Sequence, residues 1–270
     1  MNATHWKLRT KTITLDHPIF MGIVNVTPDS FSDGGRYVQP DDAVRHVLEL
    51  IKQGAEIIDI GGETTKPGSD SVTADEELSR LMPVLQKLKV VFKEQNIEVP
   101  ISVDTTKATV AYEVITKGNA EIINDISGLS APKMLEVLSE TAAAYCLMHT
   151  KGIPKIMQKN PTYEDVVKEV IEFLKQKRKE MIEAGIEPEK ISIDPGIGFG
   201  KTTIHNLSII ENIQKFHTLN APILVGHSRK NFIKETYQDI KKGTNTVTQQ
   251  LIKNGVQIIR LHEAYNYFRF

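Results

Sequence analysis

This chain of 270 residues has little cysteine, almost no net charge and no long apolar run, and each of these properties argues against a class of protein. The single cysteine, Cys146, lies in an apolar run, so we expect a buried core thiol, no disulfide within the chain and a cytoplasmic location. The formal net charge of −1 argues against a broad surface for nucleic acid or anionic lipid. No apolar run approaches the roughly 20 residues of a membrane-spanning helix, so no membrane contact is expected.

What remains is an ordinary globular composition at a length typical of one α/β barrel, which takes roughly 250 residues. After a hairpin at residues 6–15, short β-rich runs alternate with longer amphipathic stretches, such as the one marked by Val166, Val170 and Leu174. The strand candidates are residues 19–24, 56–60, 100–103, 121–124, 143–148, 191–193, 222–225 and 256–261. Eight strands with helices between them predict an α/β fold, a (β/α)8 TIM barrel that forms one domain over residues 1–270.

Nearly every predicted strand is followed by a polar, glycine-containing or ionisable cluster. The carboxyl ends of all strands in such a barrel lie on one rim, where barrel enzymes keep their active sites, so these clusters predict a site there. Loops are polar in any case, which accounts for the serines, threonines and glycines. It does not account for aspartates and an asparagine directly after apolar strands, where a partly desolvated side chain needs a partner.

The acceptor group consists of Asp104, Asn124 and Asp194, which follow the third, fourth and sixth strands. Carboxylate and amide groups suit a neutral heterocycle with amine and lactam edges, since each buried donor left unpaired costs about 1–3 kcal/mol. Paired carboxylates are also typical of acid–base catalysis and of hard metal sites. The residues alone leave these three interpretations open.

The cationic group consists of Lys230, Arg260 and His262, which follow the seventh and eighth strands, where barrels often bind phosphate. Arg260 and His262 are two residues apart and point to the same side, so they could clamp one anion. In the alternative interpretation, Arg260 pairs with a neighbouring acid and His262 is a satisfied polar residue. Lys201 follows a glycine-rich stretch, but its spacing from Gly196 is too short for a phosphate-binding P-loop.

Two loops, residues 25–36 and 61–70, are punctuated by glycine and proline. Each is long enough to cover a bound ligand and exclude water from it. Ordinary surface turns are the alternative interpretation of both loops.

Eight stretches, distributed in order along the chain, carry a family resemblance. The two most specific are MGIVNVTPDSFSDGG at residues 21–35 and DPGIGFGKT at residues 194–202. The others are IIDIGGETTKPG at 57–68, SVDTTK at 102–107, INDISG at 123–128, LMHTKGIPKIMQ at 147–158, SRK at 228–230 and RLH at 260–262. The ordered set resembles the dihydropteroate synthases, pterin-binding enzymes of folate biosynthesis, from the first strand to the eighth.

The resemblance implies roles for individual residues. The positions that hold the pterin in this family are matched by Asp104, Asn124, Asp194 and Lys230, and Met148 is a further candidate for substrate binding. The positions around p-aminobenzoate, where sulfonamides also bind, are matched by Thr65, Pro67, Phe199 and Ser228. The magnesium–pyrophosphate unit and its clamp are matched by Asn25, Arg260 and His262, and the loop over the reacting carbon by Phe31 and Asp33.

The reaction that the resemblance implies joins a pterin pyrophosphate to p-aminobenzoate, with Mg²⁺ as the cofactor. Pyrophosphate is a good leaving group when Mg²⁺ and Arg260 neutralise its charge. Its departure leaves a cation that the pterin ring delocalises, and the aniline nitrogen then attacks, so no activated protein nucleophile is required. This chemistry suits a chain without a convincing Ser-His-Asp or Cys-His constellation.

The chain departs from the family pattern in several places. Lys66 stands where arginine is usual, which replaces a bidentate anion contact by a point charge, and His227 stands where small or apolar residues are commoner. Residues 263–270 are too few for the family's closing eighth helix, so we expect a shortened one. The groove left beside it favours a homodimer formed through residues 204–216, residues 231–254 and the C-terminal aromatic residues.

Two other functions are compatible with a pterin-binding barrel. A pterin-dependent methyltransferase shares the barrel but needs no pyrophosphate clamp, so Asn25, Lys230, Arg260 and His262 together argue against it. A catalytically weak pterin-binding module is suggested by Lys66 and the short C-terminal segment. Product formation separates that module from an enzyme.

Overall fold

The computed structural model describes residues 3–27, 40–64, 71–152, 157 and 160–263. The chain begins with an antiparallel hairpin of β1 (His5–Lys7) and β2 (Thr12–Thr14), in which Trp6 pairs with Ile13. The hairpin predicted at residues 6–15 is therefore confirmed. Trp6 is completely buried, and its indole N–H donates to the Lys190 carbonyl over 3.1 Å, which fixes the hairpin against the barrel.

The eight predicted strands form one parallel sheet. They are β3 (Ile19–Asn25), β4 (Ile57–Gly61), β5 (Ile101–Asp104), β6 (Ile122–Asp125), β7 (Ala144–Met148), β8 (Ile191–Asp194), β9 (Leu224–Gly226) and β10 (Ile258–Leu261). They neighbour one another in the order β8-β7-β6-β5-β4-β3-β10-β9. The ends of the sheet meet where the Ile193 N–H donates to the Pro222 carbonyl over 2.8 Å, so the sheet is a nearly closed barrel and the predicted fold is confirmed.

Helices cover the outside of the barrel between successive strands. They are α1 (Pro40–Lys52), α2 (Ala74–Glu94), α3 (Ala108–Thr116), α4 (Met134–Thr141), α5 (Val166–Glu183), α6 (Thr203–Glu211), α7 (Asn231–Thr236) and α8 (Ile240–Lys253). The Asp165 side chain begins α5 by accepting the free N–H groups of Val167 and Lys168, and the predicted apolar stripe at Val170 and Leu174 is buried. None of the described helices combines the length and apolarity that a membrane crossing requires.

Alternation along the strands divides the core into two layers. Ile58 and Ile60 of β4 face outward and pack in the layer between strands and helices. Ile57 faces inward and joins a smaller apolar cluster at the amino end of the barrel, which also contains Trp6 and the predicted core thiol of Cys146. The described chain ends at residue 263, so the expected shortening of the eighth helix lies outside the described residues.

Candidate active site

The carboxyl ends of the strands surround a cleft of about 1050 Å³. Seven of the residues predicted for the site line it, namely Asn25, Asp104, Phe199, Ser228, Lys230, Arg260 and His262. Three more, Asn124, Met148 and Asp194, are buried and do not belong to this lining. They lie on the same rim, because Asn124 is level with Asp104 on the adjacent strand and Asp194 is level with Met148.

The remaining predicted positions lie outside the described residues. They are Phe31 and Asp33 of the first loop and Thr65, Lys66 and Pro67 of the second. Their predicted roles over the reacting carbon and around p-aminobenzoate stay predictions.

A buried aspartate that the sequence analysis did not single out organises the interior of the rim. Asp59 is completely buried on β4, and its carboxylate accepts from the Ser102 hydroxyl over 2.6 Å, the Asn124 amide over 3.0 Å and the Arg260 Nε over 2.6 Å. A signal for it exists in the sequence. Asp59 lies between Ile58 and Ile60, so alternation turns it toward the barrel axis while its neighbours face the helices.

Arg260 is held by two carboxylates at once. Its Nε donates to Asp59, and its Nη2 donates to Asp104 over 2.9 Å. Burial works against the charge of Arg260, but these two carboxylates outweigh it and raise the pKa of the guanidinium above its ordinary value. Burial raises the pKa of Asp104 to about 7 despite the neighbouring guanidinium, so this carboxyl is partly protonated at neutral pH. Arg260 therefore pairs with neighbouring acids, as the alternative interpretation of the sequence had it. It also lines the cleft, as expected of an anion clamp.

Asp194 is oriented by the glycine-rich turn that follows β8. Its Oδ1 accepts the N–H of Gly196 over 2.7 Å, so one carboxylate oxygen is held by the backbone. Burial raises the pKa of Asp194 to about 6, against that hydrogen bond and the charge of Lys230. With pKa values near neutrality, Asp104 and Asp194 are able to accept or donate a hydrogen bond at the edge of a ligand.

Lys230 and Phe199 form one wall of the cleft. The Lys230 ammonium lies 3.9 Å from the centre of the Phe199 ring, within the range of a cation–π contact. Burial and the charge of Arg260 lower the pKa of Lys230 to about 8, so it still carries its charge at neutral pH. Arg229 precedes it with a φ of 60°, and this left-handed turn brings Lys230 to the start of α7.

His262 is a neutral imidazole rather than a second cation. Its Nδ1 is 3.0 Å from the Ser228 hydroxyl, and burial together with the charges of Arg229 and Arg260 lowers its pKa to about 3. An imidazole in this state binds an anion through an N–H group and adds no charge of its own. Within the cationic group, the positive charge therefore comes from Lys230 and Arg260.

An ion-pair network that sequence reasoning missed supports the second loop. Lys107 donates to Glu63 over 2.5 Å and to the buried Glu77 over 2.6 Å. Glu63 also accepts the N–H of Val72 over 3.1 Å, while Arg80 donates to the Gly62 carbonyl over 2.8 Å. The network therefore fixes both ends of the segment between residues 64 and 71, next to the rim.

The acceptor group does not form a metal cage. Within the described ranges, no three His, Cys, Asp or Glu side chains are arranged to hold a metal ion. Asp59 and Asp104 are instead engaged by a guanidinium, and Asn124 donates its amide to Asp59. This geometry favours the ligand-edge and acid–base interpretations of these residues over a hard metal site.

Comparisons with known proteins agree with the site geometry. Residues 21–262 match the family model described as pterin binding enzyme. The chain is 44% identical to the dihydropteroate synthase of Escherichia coli (strain K12), covering 94% of this chain and 89% of the relative. It is 41% identical to that of Bacillus subtilis (strain 168), covering 91% and 84%.

Solved structures lead to the same family. The dihydropteroate synthase of Yersinia pestis with a sulfonamide drug complex superposes with a TM-score of 0.87 at 38% identity, covering 97% of this chain and 94% of that one. The Xanthomonas albilineans enzyme in complex with 7,8-dihydropteroate gives a TM-score of 0.83 at 33% identity, with the same coverage. Together with the cleft described above, these findings show that the chain belongs to the pterin-binding enzymes and, within them, to the dihydropteroate synthases.

Proposed function

We propose that this protein condenses 6-hydroxymethyl-7,8-dihydropterin pyrophosphate with p-aminobenzoate to give 7,8-dihydropteroate and pyrophosphate. The observation that carries the proposal is the meeting of two chemically different groups at one cleft. Asp104 adjoins the buried Asn124 and offers hydrogen-bonding edges at the floor, while Lys230 and Arg260 supply positive charge at the side. A flat heterocycle that bears a pyrophosphate on one arm needs this pairing of surfaces.

The pterin is proposed to bind against the buried carboxyls. Asp194 and Asp104 present oxygens to an amine-bearing ring edge, and Asn124 presents an amide level with Asp104. The Lys230 ammonium in the cleft lining is a donor for the same ring. Met148 is 2% exposed and level with Asp194 on the adjacent strand, so it offers an apolar, polarisable side chain on which a flat ring can pack. Asp104, Asn124 and Asp194 are already hydrogen-bonded within the protein, which fixes their orientation before a ligand arrives.

The pyrophosphate is proposed to meet Arg260, His262 and Asn25. The two carboxylate contacts of Arg260 use Nε and Nη2, which leaves Nη1 as the atom for a bound anion. His262 contributes a neutral imidazole, whose Nδ1 lies 3.0 Å from the Ser228 hydroxyl. Charge-assisted contacts of this kind stabilise the negative charge that grows on the leaving oxygen as its bond to carbon breaks.

Magnesium is proposed as the cofactor, and the chemistry of the donor set fits it. Mg²⁺ prefers oxygen ligands and is commonly held by one or two protein groups together with substrate phosphates. The Asn25 carboxamide lies at the end of β3 in the cleft lining and would supply such an oxygen. When bound, the ion would add Lewis-acid neutralisation of the leaving group.

p-Aminobenzoate is proposed to lie beside Phe199 and Ser228. The Phe199 ring offers an apolar face, and the Ser228 hydroxyl suits a carboxylate at the other end of the molecule. The aniline nitrogen attacks the methylene carbon, the carbon–oxygen bond to pyrophosphate breaks, and the nitrogen loses one proton. Positioning of the two substrates provides most of the rate in this scheme.

A homodimer in the cytoplasm is proposed as the working form. Ile204 at the start of α6 is 78% exposed and Ile240 at the start of α8 is 40% exposed, which is unusual for isoleucine and suits an apolar contact. The buried free thiol of Cys146 suits a reducing compartment. Sedimentation at micromolar concentration tests the dimer, and a stable monomer would contradict it.

Product formation tests the catalytic proposal directly. The purified chain is incubated with the pterin pyrophosphate, p-aminobenzoate and Mg²⁺, and dihydropteroate is measured with and without a chelator. We expect turnover that the chelator suppresses and that Lys230→Met lowers at least about tenfold, since a charge-assisted contact is worth roughly 1.5–3 kcal/mol. Lys89→Met, at an exposed position of α2, is the matched control and keeps full activity. Pterin binding without turnover would favour the module that only binds pterin.

A further inference from the structure

One buried lysine takes no part in the chemistry described so far. Lys201 directly precedes α6 and is only 2% exposed, although a buried ammonium group is costly unless it is fully hydrogen-bonded. Its partners are carbonyl oxygens and an imidazole rather than a carboxylate. Nζ lies 3.0 Å from the Gly196 carbonyl, 3.0 Å from the Phe199 carbonyl and 2.8 Å from Nδ1 of His149.

These three acceptors match the three protons of an ammonium group. For Nδ1 of His149 to accept, its imidazole has to be neutral with the proton on Nε2, and burial together with the charge of Lys201 lowers the pKa of His149 to about 2. Burial lowers the pKa of Lys201 to about 7, while the charge of Asp194 acts in the opposite direction. Lys201 lies in the cleft lining, but the chain itself provides acceptors for all three of its donors.

The lysine joins two loops whose backbones are in direct contact. A Cβ added at Gly196 would lie 1.8 Å from the His149 carbonyl oxygen, and one added at Gly200 would lie 2.4 Å from that of Lys151. Both glycines have positive φ, so a side chain there is excluded by conformation as well as by space. Residues 149–151 after β7 and residues 196–200 after β8 therefore pack as one body, and Lys201 bonds to both stretches.

That body carries the cleft wall. Phe199, whose carbonyl Lys201 holds, packs its ring on the Lys230 ammonium. We propose that Lys201 is a positioning residue, which fixes Phe199 at the p-aminobenzoate side of the cleft. This inference rests on the proposed function, since it assigns Lys201 to the binding of the second substrate.

Steady-state kinetics with Lys201→Met test the proposal. Methionine keeps the apolar stem and removes all three donors. We expect the KM for p-aminobenzoate to rise at least about tenfold and kcat to fall, because a bond that holds the wall is lost, while the Kd for the pterin substrate changes less than about threefold. Lys190→Met is the matched control. Lys190 is equally buried, at 4% exposure, and its Nζ donates to the Ala142 carbonyl at the amino end of the barrel.

Lys190→Met should lower the melting temperature and leave the KM for p-aminobenzoate within about twofold of wild type. A purely structural role for Lys201 predicts the same result for both lysine variants, and that result would overturn the proposal. If the wild-type protein forms no dihydropteroate at all, the proposed function fails. If the wild type is active and Lys201→Met has an unchanged KM for p-aminobenzoate, the positioning role of Lys201 is overturned.

A double-mutant cycle with Phe199→Ala isolates the route of the effect. If Lys201 acts through Phe199, adding Lys201→Met to Phe199→Ala changes the KM for p-aminobenzoate less than about threefold. Independent effects, in which the two fold-changes multiply, would overturn the assigned route. Should Lys201→Met not fold, Lys201→Gln, which keeps two donors on a side chain one atom shorter, takes its place in the cycle.

Discussion

The two ends of the barrel interior are built from the same strands but hold opposite kinds of side chain. Toward the amino end, the inward positions of β4, β6 and β10 carry Ile57, Ile122 and Ile258, all completely buried. Two residues further along the same strands, the inward positions carry Asp59, Asn124 and Arg260. One step of the strand alternation thus separates a dry apolar plug from a hydrogen-bonded ionic network.

The difference shows how the protein separates stability from function. An apolar plug stabilises the fold by about 25 cal/mol for each Å² removed from water, whatever its detailed geometry. A buried ionic network contributes little net stability, because desolvation of the charges offsets their attraction, but it holds each group in one orientation. We therefore expect substitutions at the amino end to lower the free energy of unfolding without changing substrate binding. Substitutions at the carboxyl end are expected to change substrate binding.

Removal of Arg260 is the largest expected perturbation. Arg260→Met leaves Asp59 without its guanidinium partner, so we expect the free energy of unfolding to fall by about 3–5 kcal/mol and dihydropteroate formation to fall more than about 100-fold. Urea titration and the product assay measure the two effects. Arg45→Met, at a 67% exposed side chain of α1 paired with Asp42, is the control and should cost less than about 1 kcal/mol.

Adding Asp59→Asn to Arg260→Met sharpens this test. Removing the second charge should recover part of the lost stability and none of the activity, because the anion contact is still missing. Full activity in either variant would show that the ionic network is dispensable.

Truncation of Trp6 is the corresponding experiment at the amino end. Trp6→Ala removes a completely buried indole and its hydrogen bond to Lys190, so we expect a loss of about 3–5 kcal/mol in the free energy of unfolding. The kcat and both KM values should remain within about twofold of wild type, measured well below the melting temperature. A selective change in a KM value would break the division between the two ends.

Asp194→Asn is expected to have a smaller effect that is confined to binding. The amide oxygen of asparagine is still able to accept the N–H of Gly196, so the free energy of unfolding should change by less than about 1 kcal/mol. The amide nitrogen replaces an acceptor with donors at the pterin edge, which should weaken the Kd for the pterin substrate by roughly 10- to 100-fold. Calorimetric titration measures the Kd, and an unchanged value, or an unfolded variant, would remove Asp194 from the pterin site.

The pH dependence of stability gives the smallest predicted effect. The pKa of Asp104 is about 7 in the folded protein against an ordinary 3.8, so its protonated form favours folding. This stabilisation is complete below pH 4 and is lost as the pH rises through about 7, with a slope of at most about 1.4 kcal/mol per pH unit. The pKa of Asp194, about 6, contributes in the same direction.

Urea titrations of ligand-free protein at pH 5, 6 and 7 measure this dependence. Asp104→Asn is uncharged throughout, so the stability of wild type relative to this variant should fall by about 2 kcal/mol over the range. A difference between the two proteins that does not change with pH would contradict the raised pKa of Asp104.

Much of the site could be read from residue type and strand position alone. Asp104, Lys230 and Arg260 follow apolar strands, and once a barrel is predicted they are confined to one rim. Asp59 was not predicted because it lies inside a strand rather than at its end. Inside a strand, only the inward direction of the side chain indicates a site residue. The contacts of Lys201 could not be predicted for a different reason, since two of its three acceptors are backbone carbonyls, which no residue type indicates.

The sequence by itself determined the number of strands, the barrel, the rim on which the site lies and the family. These follow from hydrophobic periodicity and from ordered local motifs, which a linear chain displays directly. Only the tertiary structure decided that Asp59 and Asp104 share one guanidinium and that Lys201 joins two loops. It also decided which carboxyl groups have pKa values raised toward neutrality. These properties depend on burial and on distances of about 3 Å between residues far apart in the chain, because hydrogen bonds and desolvation act only at contact.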